Sequence, residues 1–352
     1  MIAKTIAKTI AKTDFSEWLN LLRKSYRMIG PVRQGDQFNF AFLSAGEGPD
    51  LSFQNTRLSP KEWVQPASER MFQFSLDPAD QEAHILKEVP WDESPRLLLG
   101  VRPCDARALN LVQINFETAD YTDPWWKHGR DTMTLIGLGC NQPCSTCFCT
   151  SVGSGPFDPV GLDILLTDLG SAYLAQAATE KGAALLQGVP QGTEPSASDQ
   201  SQAETLKKEA EQALPPQVAV DRLKDQPLLP LFNAPFWDEV QFACINCGTC
   251  TYLCPTCWCF DIQDEVSGTE GLRMRNWDSC MYPLFTLHGS GHNPRDQKLQ
   301  RVRQRFMHKL KYYVDKYGNG VACVGCGRCV QFCPVNIDIR RVCNLMNAFQ
   351  AN

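Results

Sequence analysis

The sequence predicts an α/β domain in the N-terminal half, followed by a smaller α-helical/α+β domain built around cysteine. Two apolar runs, RLLLGV at 96–101 and TLIGL at 134–138, lack alternation, as strands buried on both faces of a sheet do. The helix-like stretch 106–116 between them completes a β-α-β unit, and with it a mainly parallel or mixed sheet flanked by helices. Downstream, Cys244, Cys247 and Cys250 precede Cys254-Pro255, and Cys323, Cys326 and Cys329 precede Cys333-Pro334. This C-x2-C-x2-C-x3-C-P run, present twice, is the arrangement of bacterial two-cluster ferredoxins. The second domain is therefore predicted to be bacterial-ferredoxin-like, with a long insertion at 255–322.

In chain order, three copies of Ile-Ala-Lys-Thr open the sequence, too thin in apolar mass for a packed element, so 1–13 reads as a flexible, solvated arm. Asp14 with Glu17 three residues on forms a capping-box pattern for a helix through about residue 28. Trp18, Leu21, Leu22 and Tyr26 recur at helical spacing, and Gly30-Pro31 ends the pattern. The α/β domain is bounded at 14–187, its last part a strand-like ILLTDL and then a helix. Residues 188–234 are rich in Gln, Glu, Ser and Pro and read as a polar linker carrying one solvated helix at 203–213. The ferredoxin-like domain takes 235–352. Within it, 296–317 is a basic amphipathic helix closed by Gly318, read as a solvated face, with docking to an acidic partner as the lesser alternative.

Composition narrows the class. The chain of 352 residues is 43% hydrophobic and 21% charged, with a net charge of −5, which suits a globular protein and argues against nucleic acid as a partner. No run of about 18 apolar residues is present, so no membrane insertion is expected. The N-terminus lacks the apolar core and cleavage site of a secretory signal, so a cytoplasmic location is expected. Seventeen cysteines, an odd number in a long chain without such a signal, disfavour a disulfide framework.

The ferredoxin rule assigns ligands by crossing: three cysteines of each run bind one cluster, and the fourth binds the other. Cys244, Cys247, Cys250 and Cys333 are thus expected on one [4Fe–4S] cluster, and Cys323, Cys326, Cys329 and Cys254 on a second. Gly248, Gly325 and Gly327 allow the backbone to wrap closely. A third set stands upstream. Cys104 and Cys140 each follow a predicted strand, at the carboxyl edge where α/β folds build their sites, and Cys147-Phe-Cys149 follows on the loop. These four are expected to hold a third site, a cubane in preference to zinc, with Cys144 spare. Cys257, Cys259, Cys280 and Cys343 remain, and packing is the favoured role for most of them. His288 and His292 have too few neighbours for a metal site, Asp105 and Arg107 make no catalytic pair, and no nucleotide or nucleophile motif appears.

The segments VRPCDARAL, GCNQPCSTCFCTSVGSGP, CPTCWCFDIQDE, RMRNWDSCMYPLFTLHGSGHNPR and CVGCGRCVQFCPVNIDIR resemble the beta subunits of cytoplasmic sulfhydrogenases and, equally, the corresponding iron–sulfur subunit of anaerobic sulfite reductase. The likeness runs from about residue 60 onward. It implies an electron-transfer subunit of a hetero-oligomeric oxidoreductase from anaerobic metabolism, without a substrate site or catalytic residues of its own. Its partners would be a flavin-containing, NAD(P)H-reactive subunit and a catalytic subunit of hydrogenase, sulfite reductase or heterodisulfide-reductase type. It also favours Cys104, Cys140, Cys147 and Cys149 as the third set. The alternative is a catalytic subunit whose open N-terminal cluster acts on a disulfide or sulfur substrate.

Overall fold

The computed structural model describes residues 6–350, so residues 1–5 of the expected arm lie outside the described residues. Its larger sheet has the order β1-β9-β8-β7-β6-β2-β3. The strands are β1 (Ala7–Ala11), β2 (Arg27–Gln34), β3 (Gln37–Phe42), β6 (Arg96–Val101), β7 (Met133–Leu138), β8 (Ile164–Asp168) and β9 (Ala172–Ala177). The four central strands, β2, β6, β7 and β8, run parallel, and β3, β9 and β1 add antiparallel edges. A second, antiparallel sheet has the order β10-β11-β4-β5, from Phe260–Ser267, Glu270–Trp277, Ser68–Ser75 and Lys87–Glu88 respectively.

The period of two along each central strand sorts its side chains between two cores, and a bulge at Gly100 turns Val101 to the face opposite Leu99. Leu97, Leu99, Ile136 and Leu138 face one core, filled by Phe15, Trp18, Leu19 and Leu22 of α1 (Lys12–Leu22). Leu98, Val101 and Leu135 face the other, filled by Ala106, Leu109 and Val112 of α2 (Pro103–Gln113) and Trp126 of α3 (Pro124–Asp131). Both faces being covered explains why β6 and β7 read as unbroken apolar runs.

Several expectations need correction. The stretch 7–11 is an edge strand paired with β9, and Ile10 is fully buried. Pairing to an existing sheet edge supplies the backbone partners and apolar surface that the IAKT tract lacks alone. The first helix starts after Ala11, with no side-chain cap, and ends at Leu22; Asp14 lies in its first turn. Residues 27–34 are β2 instead of helix, and Pro31 falls beyond the last β6 pairing, Ile29 with Leu98, so it removes no donor from that ladder. Between β8 and α4 (Glu180–Gln187) lies the extra strand β9.

The polar segment 188–234 is not a free linker. Ser196 caps α5 (Ala197–Gln212) through a capping box with Asp199, and Ala210 is buried against the sheet. Val218, Leu223 and Leu231, the last on α6 (Leu228–Phe232), enter the core of the cysteine-rich half. That core also takes Trp237 of α7 (Phe236–Phe242), and the short α8 (Thr249–Tyr252) carries Cys250. The insertion likewise does not stand apart. Its β11 pairs with β4, and buried Arg275 bonds Glu69 at 2.6 Å and Asp123 at 2.8 Å. The two halves are thus tied together by backbone ladder and ion pairs.

The basic helix is α9 (Lys298–Met307), continued by a π turn at His308–Tyr312 and by α10 (Tyr313–Tyr317). It is not a solvated face: Arg301, Arg305, Lys309 and Lys311 are all buried. The chain closes with α11 (Arg328–Gln331) and α12 (Ile339–Ala348).

Candidate metal centres

Cys104 lies in the first turn of α2, directly after β6, and Cys140 follows β7. Adjacent parallel strands therefore bring both to the carboxyl edge of the sheet. The loop after Cys140 turns at Cys144, whose carbonyl accepts from the Cys147 N–H at 3.0 Å, and the Phe148 N–H then donates to the Gly325 carbonyl at 2.8 Å. A hollow of ≈ 390 Å³ results, lined by Cys104, Cys140, Cys144, Cys147 and Cys149 together with Cys326. The four predicted thiols meet there. Cys144 joins them, which the spacing did not indicate.

The charge environment of this hollow is set by buried groups. The Cys147 thiol donates to the Cys326 carbonyl at 3.5 Å, and the closeness of Cys144 and Cys147 brings Cys144 down to about 7 and pushes Cys147 up. Burial pushes Cys104 and Cys140 up, and Cys149 up to about 12. Buried Arg102 donates to the carbonyls of Leu138 (3.2 Å), Gly139 (2.7 Å) and Phe53, beside Cys140.

A second hollow, ≈ 450 Å³, is lined by Cys244, Cys247, Cys250 and Cys333, with Cys329 and the apolar Ile245, Met281, Val302, Phe306 and Ile337. Cys333 thus crosses to the first run, as the ferredoxin rule expects. Backbone N–H groups point at sulfur here: Asn246 to Cys244 at 3.4 Å and Ile337 to Cys333 at 3.2 Å. Burial raises Cys250 to about 11, whereas Cys247 is the exposed member.

Between the hollows lie Cys254, Cys323, Cys326 and Cys329. Cys254 is among the charge neighbours of each of the other three, and the Gly325 N–H donates to the Cys323 sulfur at 3.5 Å. Cys326 also faces the N-terminal hollow and Cys329 faces the other. Close approach requires glycine at two places. A Cβ on Gly325 would sit 2.5 Å from the Phe148 backbone, one on Gly327 2.4 Å from Thr146, and both residues have positive φ.

Three buried cations surround the middle group. Lys309 Nζ donates to Thr256 Oγ1 at 2.9 Å, Lys61 Nζ donates to the Cys257 carbonyl at 2.8 Å, and Arg305 has Cys250 and Cys329 as its leading charge neighbours. A fourth, Arg328, is held by an ion pair that is itself almost inaccessible. Its guanidinium donates to Asp105 at 2.6 and 2.8 Å, to the Thr56 carbonyl at 2.8 Å and to Asn55 at 2.6 Å. Since Asp105 follows Cys104 and Arg328 lies between Cys326 and Cys329, this pair locks the two cysteine regions together. Sequence reading gave no such role to Asp105, Lys61 or Lys309; the placement of Arg328 within a cysteine run was the available signal.

The donor set fits iron–sulfur clusters. It is all thiol, sulfur receives backbone N–H bonds, and buried cations face it. Thiols raised by burial become thiolates when a cation or cluster takes the charge. Among the described residues no three His, Cys, Asp or Glu side chains gather around a single ion; the thiols instead ring larger spaces. The rings of His288 and His292 are 5.4 Å apart in a loop whose backbone bonds close on itself, with no metal group there among the described residues.

Residues 243–337 match the family of 4Fe–4S dicluster domains. No solved structure matches the chain. Sulfhydrogenase 2 subunit beta of Pyrococcus furiosus is 30% identical over 327 residues, spanning 92% of this chain and 93% of that protein. With that identity over nearly the whole of both chains, the protein belongs to the iron–sulfur subunit family of the sulfhydrogenase beta subunits.

Proposed function

We propose that the chain is the electron relay of a hetero-oligomeric cytoplasmic oxidoreductase, set between a flavin-containing NAD(P)H-reactive subunit and a catalytic redox subunit. In this reading Cys244, Cys247, Cys250 and Cys333 hold one [4Fe–4S] cluster, and Cys254, Cys323, Cys326 and Cys329 hold a second. Cys104, Cys140, Cys147 and Cys149 hold a third. Such clusters supply one-electron transfer. The chain's own residues do the rest: backbone amides and buried cations hold negative charge in an apolar interior, and the protein walls exclude water.

One observation carries the reading. The second ferredoxin run contributes Cys329 to the wall of one hollow and Cys326 to the wall of the other, so the three sites adjoin in sequence. A continuous row of redox sites is of use between two partners, and the relative in Pyrococcus furiosus is by its name one subunit of a sulfhydrogenase. Iron analysis of the anaerobically purified protein tests the third site. Cys104→Ser and Cys149→Ser should each remove about four irons per chain; unchanged iron and unchanged spectra in both would sink it.

The six cysteines lining the N-terminal hollow favour one alternative, an open cluster there that acts on a disulfide or sulfur compound. Turnover by the isolated reconstituted chain, lost in Cys147→Ser but kept in Cys247→Ser, which lies on the other hollow, would select that alternative over the relay.

A further inference from the structure

Seventeen cysteines stand in the chain, and the three proposed sets use twelve. Cys144 lines the N-terminal hollow, and Cys343 is fully buried in the apolar core on α12. Cys257, Cys259 and Cys280 are left, and the fold gathers them. Cys259 immediately precedes β10, and Cys280 follows β11 by three residues. The strands pair at Phe260 with Trp277, and the Asp278 N–H donates to the Cys259 carbonyl at 2.9 Å. The mouth of this hairpin therefore brings Cys280 beside Cys259. Cys257 has Cys254 and Cys259 as neighbours, on the turn closed by its N–H to the Cys254 carbonyl at 3.3 Å.

Independent segments bring positive charge to the same place. Lys61, 5% exposed, arrives from a turn in the N-terminal half, and Lys309, 4% exposed, from the π turn. Cys257, Cys254 and Cys259 are the negative groups facing Lys61; Cys254, Cys257 and Cys323 face Lys309. Lys61 Nζ donates to the Cys257 carbonyl at 2.8 Å and Lys309 Nζ to Thr256 Oγ1 at 2.9 Å, so both buried side chains close on the turn that carries Cys257. The middle cluster accounts for Cys254 and Cys323. It does not account for Cys257, Cys259 and Cys280.

We propose that Cys257, Cys259 and Cys280 hold a further iron–sulfur centre beside the middle cluster, with the buried side chains of Lys61 and Lys309 packed against it. This rests on the reading that the ferredoxin runs hold clusters. Three thiolates leave one iron of a cubane to a non-cysteine ligand. A single-ion site is not what the set is shaped for, since no three such side chains close on one ion among the described residues.

The test is iron and sulfide analysis with EPR and Mössbauer spectra on the full chain, purified anaerobically in whatever complex it forms. Cys257→Ser, Cys259→Ser and Cys280→Ser should each lose about three to four irons per chain and keep the spectra of the ferredoxin-run clusters. Cys343→Ser should lose none. Unchanged iron in all three variants, or a Cys259–Cys280 disulfide found by mass spectrometry after alkylation, overturns the proposal. If Cys280→Ser fails to fold, Lys61→Met keeps every thiol. It should move one cluster potential to more negative values in a redox titration, and no movement of any potential counts against the assignment. Cys326→Ser separates the two readings: intact iron in that variant would defeat the ferredoxin-run clusters themselves.

Discussion

Asp105 and Arg328 show how much a single pair can determine. Both are shielded from water, and Arg328 spends its donors on Asp105, Asn55 and Thr56. Removing one partner of such a pair strands a buried charge, which costs about 3–5 kcal/mol. Asp105→Ala is therefore expected to lower unfolding free energy by about that amount in a denaturant titration, whereas a loss near zero would show the pair is not buried. His308 gives a pH effect. Burial holds its imidazole down to about 4, against 6.5 when free, so the folded chain keeps it neutral while the unfolded chain protonates it. Stability should fall as pH drops from about 6.5 toward 4, and His308→Gln should flatten that part of the curve in urea melts at pH 7 and pH 5.

At the level of elements, strands β6, β7 and β8 and the cysteine runs were legible in the sequence because their signals are local. An unbroken apolar run states that both faces are covered, and C-x2-C-x2-C-x3-C-P states its ligand spacing. The strand at 7–11 was not legible, because an edge strand takes its partners from β9, distant in sequence. Ile10→Ala checks this element directly. A buried isoleucine lost from the core should cost about 2–5 kcal/mol, where a solvated arm would show no change. The basic helix misled for the same reason: charge reads as solvent exposure until something buried and negative faces it. Arg305 and Lys309 lie against thiols. Lys309→Met should accordingly move the potential of the cluster proposed on Cys254, Cys323, Cys326 and Cys329 to more negative values, followed by EPR-monitored titration.

Across the whole molecule, the cysteine sites adjoin in a row from the N-terminal hollow to the one bearing exposed Cys247. Two residues before Cys244, Phe242 is 82% exposed, and Ile245 on the wall of that last site is exposed as well. Phe242→Glu is expected to slow electron exchange with the partner subunit several-fold without loss of iron; equal rates would move the contact elsewhere. No helix among the described residues is long and apolar enough to cross a membrane. The sequence by itself determined strands β6, β7 and β8 and the spacing of the two ferredoxin runs, since each depends on residues within a few positions of one another. Tertiary structure alone decided that Cys144 joins the N-terminal hollow, that the supposed linker and insertion pack into both halves, and that Cys259 and Cys280 meet at a hairpin mouth between buried lysines. Those contacts join segments tens to hundreds of residues apart, and no local spacing encodes them.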